Sequence, residues 1–336
     1  MDLSKYARPL VVLAVAFASL SAILIRISNA PPIAIAFYRM LFTSMMLLPA
    51  LAWVRAWPPG SARSTGSAET GNTDNTAGTS SGKRPDLRSL GLLAASGAFL
   101  ALHFATWNAS LSYTTVASSV VLVTLHPIFV AVGSILFLKE RVPAAAFLFI
   151  VCAIFGSALL SYGDFALGSE ALLGNALAVA GAIAVAGYML LGRFLRRRID
   201  ATVYNITVYS VAAAILLPMA IVAGNPISGY PFSEFVLFAA LAFFCTILGH
   251  SIFNWALKYV PASSVSTSIL LEPIFATLMA AALFDEVPGV LAILGGSIVV
   301  ISLYLVIRLD SRSRRRARTD APLDAVPTPD RRGSAS

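Results

Sequence analysis

Two residues in the middle of long apolar stretches carry chemistry that hydrocarbon opposes. Glu272 precedes Pro273 within S-S-V-S-T-S-I-L-L-E-P-I-F-A-T-L-M-A-A-A-L-F-D-E, Ser263 to Glu286, and His126 precedes Pro127 within L-H-P-I-F-V-A-V. A charge at the centre of a bilayer costs roughly 2.5–3.5 kcal/mol on insertion scales, and a proline there frees a helix carbonyl that needs another partner. A helix broken at such a point presents backbone carbonyls beside the side chain, which is how discontinuous helices build sites at the membrane midplane. Glu272 could bind a proton or a substrate ammonium. The alternative for both residues is a hydrogen bond to a neighbouring helix that fixes packing.

Other polar groups fall at spacings that give them a shared helix face. Ser264, Ser268 and Glu272 follow at i, i+4 and i+8, and Ser119 lies two turns before His126, so two polar stripes are expected to face a cavity. His103 and Trp107 are an i, i+4 pair, as are His250 and Asn254. The reading set against a cavity role is an interfacial belt for Trp107 and a helix-end hydrogen bond for Asn108 and Asn254. Arg39, in A-F-Y-R-M-L-F, lies about seven residues below the outer face of its span and requires an anion, either Glu272 or a substrate carboxylate. No histidine has a carboxylate at metal-ligand spacing, so neither a metal nor a cofactor is expected.

The elements that must position these residues are legible from composition. With 58% hydrophobic and only 12% charged residues in 336, the chain holds far more apolar side chain than a globular core needs, and an integral membrane protein follows. Ten apolar stretches approach the length that spans hydrocarbon as a helix: Leu10 to Arg26, Pro32 to Val54, Leu90 to Ser112, Thr114 to Leu138, Pro143 to Tyr162, Gly174 to Phe194, Val203 to Ala223, Glu234 to Lys258, Ala262 to Phe284 and Pro288 to Arg308. Threading them from a cytoplasmic N-terminus leaves only Arg26 on the outer side, while Lys5, Arg8, Lys139, Arg141, Arg196 to Arg198 and the basic tail fall inside. The first apolar run, with Lys5 and Arg8 before it, resembles a signal peptide, but Arg26 and the later spans argue for a retained helix.

The chain also repeats itself. Shifted by 146 residues, Asn108, Leu111, Tyr113, Ser118, Leu125, Pro127, Ile128, Phe129 and Glu140 fall on Asn254, Leu257, Tyr259, Ser264, Leu271, Pro273, Ile274, Phe275 and Glu286. Five spans per half is odd, so the second half enters the membrane upside down. The expected fold is therefore all-α and integral to the membrane, with ten transmembrane helices as two inverted five-helix repeats, residues 1–162 and 163–310. Residues 58–86, rich in Gly, Ser and Thr, are expected to be a disordered cytoplasmic loop, and 311–336 a disordered basic tail at the headgroups. Cys152 and Cys245 have no neighbour at redox or metal spacing and are expected to pack. Glu140 and Glu286, at helix-connecting turns, are expected to form turns and caps.

The paired motifs L-H-P-I-F-V-A-V…L-K-E-R, Leu125 to Arg141, and L-E-P-I-F-A-T-L…F-D-E, Leu271 to Glu286, resemble the EamA type of the drug/metabolite transporter superfamily over roughly Leu10 to Arg308. The resemblance implies a central cavity lined by the first four helices of each half, with export or uptake of amino acids, other metabolites or drugs. A secondary transporter working by alternating access is expected, with proton coupling open. It would sit in the plasma (inner) membrane with both termini cytoplasmic. Its partners would be the lipid bilayer and a small-molecule substrate, not nucleic acid, and a homo-oligomer stays open. The competing classes are an intramembrane enzyme and a channel or scaffold. Neither G-x-S-x-G nor H-E-x-x-H is present, so no enzyme is expected.

Overall fold

A computed structural model of the chain describes residues 4–56, 87–138, 148–149, 151–156, 159, 168–259, 265, 269 and 271–319. Among these there is no strand. In chain order the helices are α1 Ser4–Ile27, α2 Pro32–Ala56, α3 Leu87–Ser110, α4 Val116–Val123, α5 His126–Leu138, α6 Ser169–Leu195, α7 Ala201–Val222, α8 Phe232–Ala256, α9 Glu272–Phe284 and α10 Val290–Thr319. Seven helical rods among the described residues are long and apolar enough to cross a membrane, with α4 and α5 counted as one rod, Val116–Phe137. Helix α9 and the apolar part of α10, Val290–Ser302, are shorter. The expected loop at 58–86 and the Glu140 turn lie outside the described residues, as do Ser264 and Ser268.

The distribution of polarity is that of a protein solvated by lipid. Leu136, Phe137, Phe155 and Leu278 are exposed, while Arg39, Asn108, Ser118 and Thr246 are fully buried. Apolar side chains on the perimeter need no protein cover in hydrocarbon, whereas polar ones must find partners inside the bundle. Packing runs between early and late helices. Helix α3 lies against α6 and α7, α2 against α7, and α1 against α8 and α9. Helix α4 meets both α6 and α9.

Two glycines set close approaches. A Cβ at Gly156 would come within 2.8 Å of the Gly295 carbonyl, so the helix segment at 151–156 crosses α10 nearly backbone to backbone. At Gly181 it would stand 3.3 Å from the Trp107 Cβ, so this glycine lets α6 seat against the face of α3 that carries the site.

Helix ends are secured by side chains. Thr115 accepts from the Ser118 amide at 3.1 Å to start α4, and Asp200 accepts from the Thr202 amide at 2.8 Å to start α7. Glu286, expected at a turn, does cap: its Oε2 accepts from the Val116 amide at 2.9 Å, and its Oε1 pairs with Arg26 at 2.9 Å. Arg26 also donates to the Leu111 carbonyl, tying the end of α1 to the end of α3. At the end of α6, Arg196 does the equivalent for α8, donating from Nε to the Asn254 carbonyl at 3.1 Å.

Two regions depart from regular α-helix. The middle of α8, Leu241–His250, is wound as a π-helix, and Thr246 Oγ1 donates to the Leu241 carbonyl five residues earlier at 3.1 Å. Between α4 and α5 the rod breaks at Thr124 and Leu125, immediately before the His126–Pro127 pair. Helix α10 continues to Thr319, past residue 311, where a disordered tail was expected to begin. Arginine is a good helix former, so a run of arginines extends a helix already nucleated in the membrane.

Candidate functional site

A cavity opens where the two breaks meet, and helices from both ends of the chain line it. Its walls carry Ser21 from α1, His103 and Trp107 from α3, and His126 at the start of α5. The opposite walls carry Tyr188 from α6, His250 and Asn254 from α8, and Glu272 at the start of α9. All three histidines of the chain are among them. The room for solvent-sized occupants is about 50 Å³, enough for a few waters. A larger solute therefore enters only if the helices move.

Each histidine is held differently. His103 places Nδ1 3.0 Å from the Gly181 carbonyl and stacks on Trp107, with ring centroids 5.8 Å apart at 10°. His126 places Nδ1 3.3 Å from the Val123 carbonyl, and its Nε2 is buried without a partner. His250 closes edge-on against Phe104 at 5.5 Å and lies 6.4 Å from the His103 ring. The Val123 carbonyl is the one whose helical donor would have been the amide of Pro127. Glu272 is partly open to the cavity and makes no hydrogen bond or ion pair among the described residues.

Trp107 is buried in the wall, its indole Nε1 unpartnered, and so is not part of an interfacial ring. Asn254 anchors a polar network: its Nδ2 lies 2.5 Å from the Tyr188 hydroxyl, 2.7 Å from Asn205 Oδ1 and 3.3 Å from the Tyr209 hydroxyl. Tyr209 in turn meets Ser251 at 3.1 Å. A buried network satisfied in this way fixes the wall rigidly.

Three of the candidate site residues lie off the cavity wall. Ser119 does not join His126 on the cavity wall; its hydroxyl lies 2.6 Å from that of Ser110, sealing α4 to α3. Asn108 donates to the Pro32 carbonyl at 3.2 Å and serves the α2–α3 junction, not the cavity. Arg39 forms no ion pair with Glu272 among the described residues. It lies behind the wall, donating from Nε to Thr246 at 2.7 Å and from Nη1 to Ser21 at 2.7 Å, with its guanidinium 4.3 Å over the Phe104 ring. Its Nη2 has no partner. Hydroxyls and an aromatic face thus solvate this cation in place of a carboxylate.

Comparison with known proteins decides the family. The model of the EamA-like transporter family matches residues 6–162 and again residues 172–308. The chain belongs to the EamA-like transporter family. An uncharacterized transporter of Archaeoglobus fulgidus is 25% identical over 280 residues, covering 82% of this chain and 87% of the relative. The pseudopaline exporter CntI of Pseudomonas aeruginosa is 24% identical over 221 residues, 65% of this chain and 75% of that protein. A solved crystal structure superposes with a TM-score of 0.61 at 16% identity, covering 92% of this chain and 99% of its own, and it shows the shared fold.

This EamA-like protein is therefore a membrane transporter of small metabolites, and its cavity contains residues that sequence reasoning passed over. Tyr188, Ser21 and Thr124 line it, and Asn205, Tyr209 and Thr246 support it from behind. A signal existed for part of this set. Asn205 and Tyr209 stand at i, i+4 within an apolar span, the same spacing that singled out His250 and Asn254.

Proposed function

We propose that this EamA-like transporter is built as ten spans in two inverted halves that rock about the cavity, and that Glu272 carries a coupling proton. The single observation that carries the reading is the convergence of Glu272 and His126, repeat-related residues before repeat-related prolines, on one cavity. An inverted pair of five-helix units would make the packing of α3 on α6 equivalent to that of α8 on α1, and would map the α2–α7 and α4–α9 contacts onto themselves; all four pairs occur. The arginine ties at the ends of α3 and α8 fit the same relation, since Leu111 and Asn254 lie within one turn of matching positions.

In this reading the present cavity is a constricted state, because its room for solvent-sized occupants is about 50 Å³. Substrate enters when the helix ends on one side separate, and Glu272 exchanges its proton as the cavity turns to the other face. Charge placement along the loops supports cytoplasmic termini in an inner membrane. The test is solute flux into liposomes holding the purified full chain, with and without an imposed proton gradient. Saturable, gradient-stimulated flux is expected. A gradient-independent ion current, or chemical conversion of solute without flux, would overturn the reading.

A further inference from the structure

We infer that the cavity recognises a cation through its N–H groups, a primary ammonium or guanidinium with an acceptor atom close by, and discriminates against permethylated ammonium. This rests on the transporter reading above and specifies the substrate class of the same site.

The argument is one of hydrogen-bond polarity. A backbone carbonyl can only accept, so the nitrogen facing it must carry the hydrogen. His126 Nδ1 faces the Val123 carbonyl at 3.3 Å and His103 Nδ1 faces the Gly181 carbonyl at 3.0 Å, which makes both neutral rings Nδ1–H tautomers. The Nε2 of each is then a lone-pair acceptor, and that of His126 is buried with nothing to receive. The Glu272 carboxylate adds two more acceptor oxygens.

Against this set the cavity wall holds one unpartnered indole donor, Trp107 Nε1. An acceptor-rich pocket of this kind is completed by a ligand rich in donors, and the single indole N–H calls for one acceptor on the same molecule. Glu272 is the one formally charged side chain among the described lining residues, and it selects a cation. Arg39 stands behind the wall, its Nε on Thr246 and its Nη1 on the lining Ser21, and is not itself a lining residue, so the charge that a solute touches is that of Glu272. A quaternary ammonium would satisfy the charge of Glu272 and leave the imidazole acceptors dry, which is the costly case for a buried polar group.

The test uses the full chain in detergent and in liposomes with phenylalaninamide and its N-methyl, N,N-dimethyl and N,N,N-trimethyl derivatives. Binding followed by thermal shift should weaken by about tenfold for each of the first two N–H groups replaced, the effect of losing one charge-assisted hydrogen bond. His126→Leu and His103→Leu should flatten this ladder, so that the ratio of trimethyl to unmethylated binding rises toward one in each variant. Should either variant fail to fold, the ladder in the unmodified chain decides alone. Equal or tighter binding of the trimethyl compound would overturn the inference, and its saturable transport in the same liposomes would leave the transporter reading standing. Failure of the whole series to bind, while anionic solutes are carried, would also overturn it. Absence of carriage for any solute would count against the transporter reading instead.

Discussion

The chain sets a proline at the start of α5, Pro127, and another at the start of α9, Pro273, yet the residues before them differ in what they can donate. In the first half, the His126 Nδ1–H reaches the Val123 carbonyl, so the acceptor orphaned by Pro127 finds a donor on the adjacent side chain with no charge involved. In the second half Glu272 occupies the matching position, and a carboxylate has no hydrogen to give. Only its acid form could donate as His126 does, and among the described residues Glu272 makes no hydrogen bond. Under the proposal that Glu272 carries a coupling proton, the first position has a donor at all times and the second only when a proton is present. Paired prolines with unlike residues before them would, on the proposed mechanism, make one half fixed and the other responsive.

The sharpest way to break this comparison is to make the responsive half permanently satisfied. Glu272→Gln carries amide hydrogens at every pH, so gradient-driven flux in liposomes should fall at least about tenfold, equivalent to about 1.4 kcal/mol of lost coupling, with the folded yield intact. His126→Gln should retain the gradient dependence, and equal losses in the two variants would erase the distinction. A smaller effect is expected from removing the donor in the fixed half. His126→Leu leaves the Val123 carbonyl unpaired and should destabilise the full chain by about 1–3 kcal/mol, read as a lowered Tm in detergent. Pro127→Ala returns a backbone amide to that carbonyl, so in combination with His126→Leu it should recover about 0.5 kcal/mol or more. No recovery would mean that the side chain, not the freed carbonyl, was what mattered. Smallest is Glu286→Gln, which tests whether α4 is held from its other end. The Arg26–Glu286 pair is partly exposed, so a loss below about 1 kcal/mol in the same melting experiment is expected.

Much of the site could be read from residue type alone. A carboxylate, three histidines and a proline-broken repeat are so costly in hydrocarbon that each announces itself, and His103, His126, His250, Asn254, Trp107 and Glu272 all line one cavity. Residues whose polarity is mild were harder to place. Ser119 and Asn108 lie on protein-facing sides of their helices, but a helix in the middle of a bundle has several such sides. Helix α3 touches α2, α6 and α7, and periodicity cannot say which neighbour a polar face will meet. Arg39 was legible as buried and in need of partners. That those would be two hydroxyls and a phenyl ring depended on the π-helical winding that brings Thr246 round to it, and no sequence period encodes that winding.

The histidines have one more consequence. The chain contains three, and all of them look into the same chamber, so its imidazole spectrum is free of signals from elsewhere. Isotope labelling of histidine alone would give a protein that reports on its own occupancy and on the tautomer of each ring, without an attached probe and in native lipid.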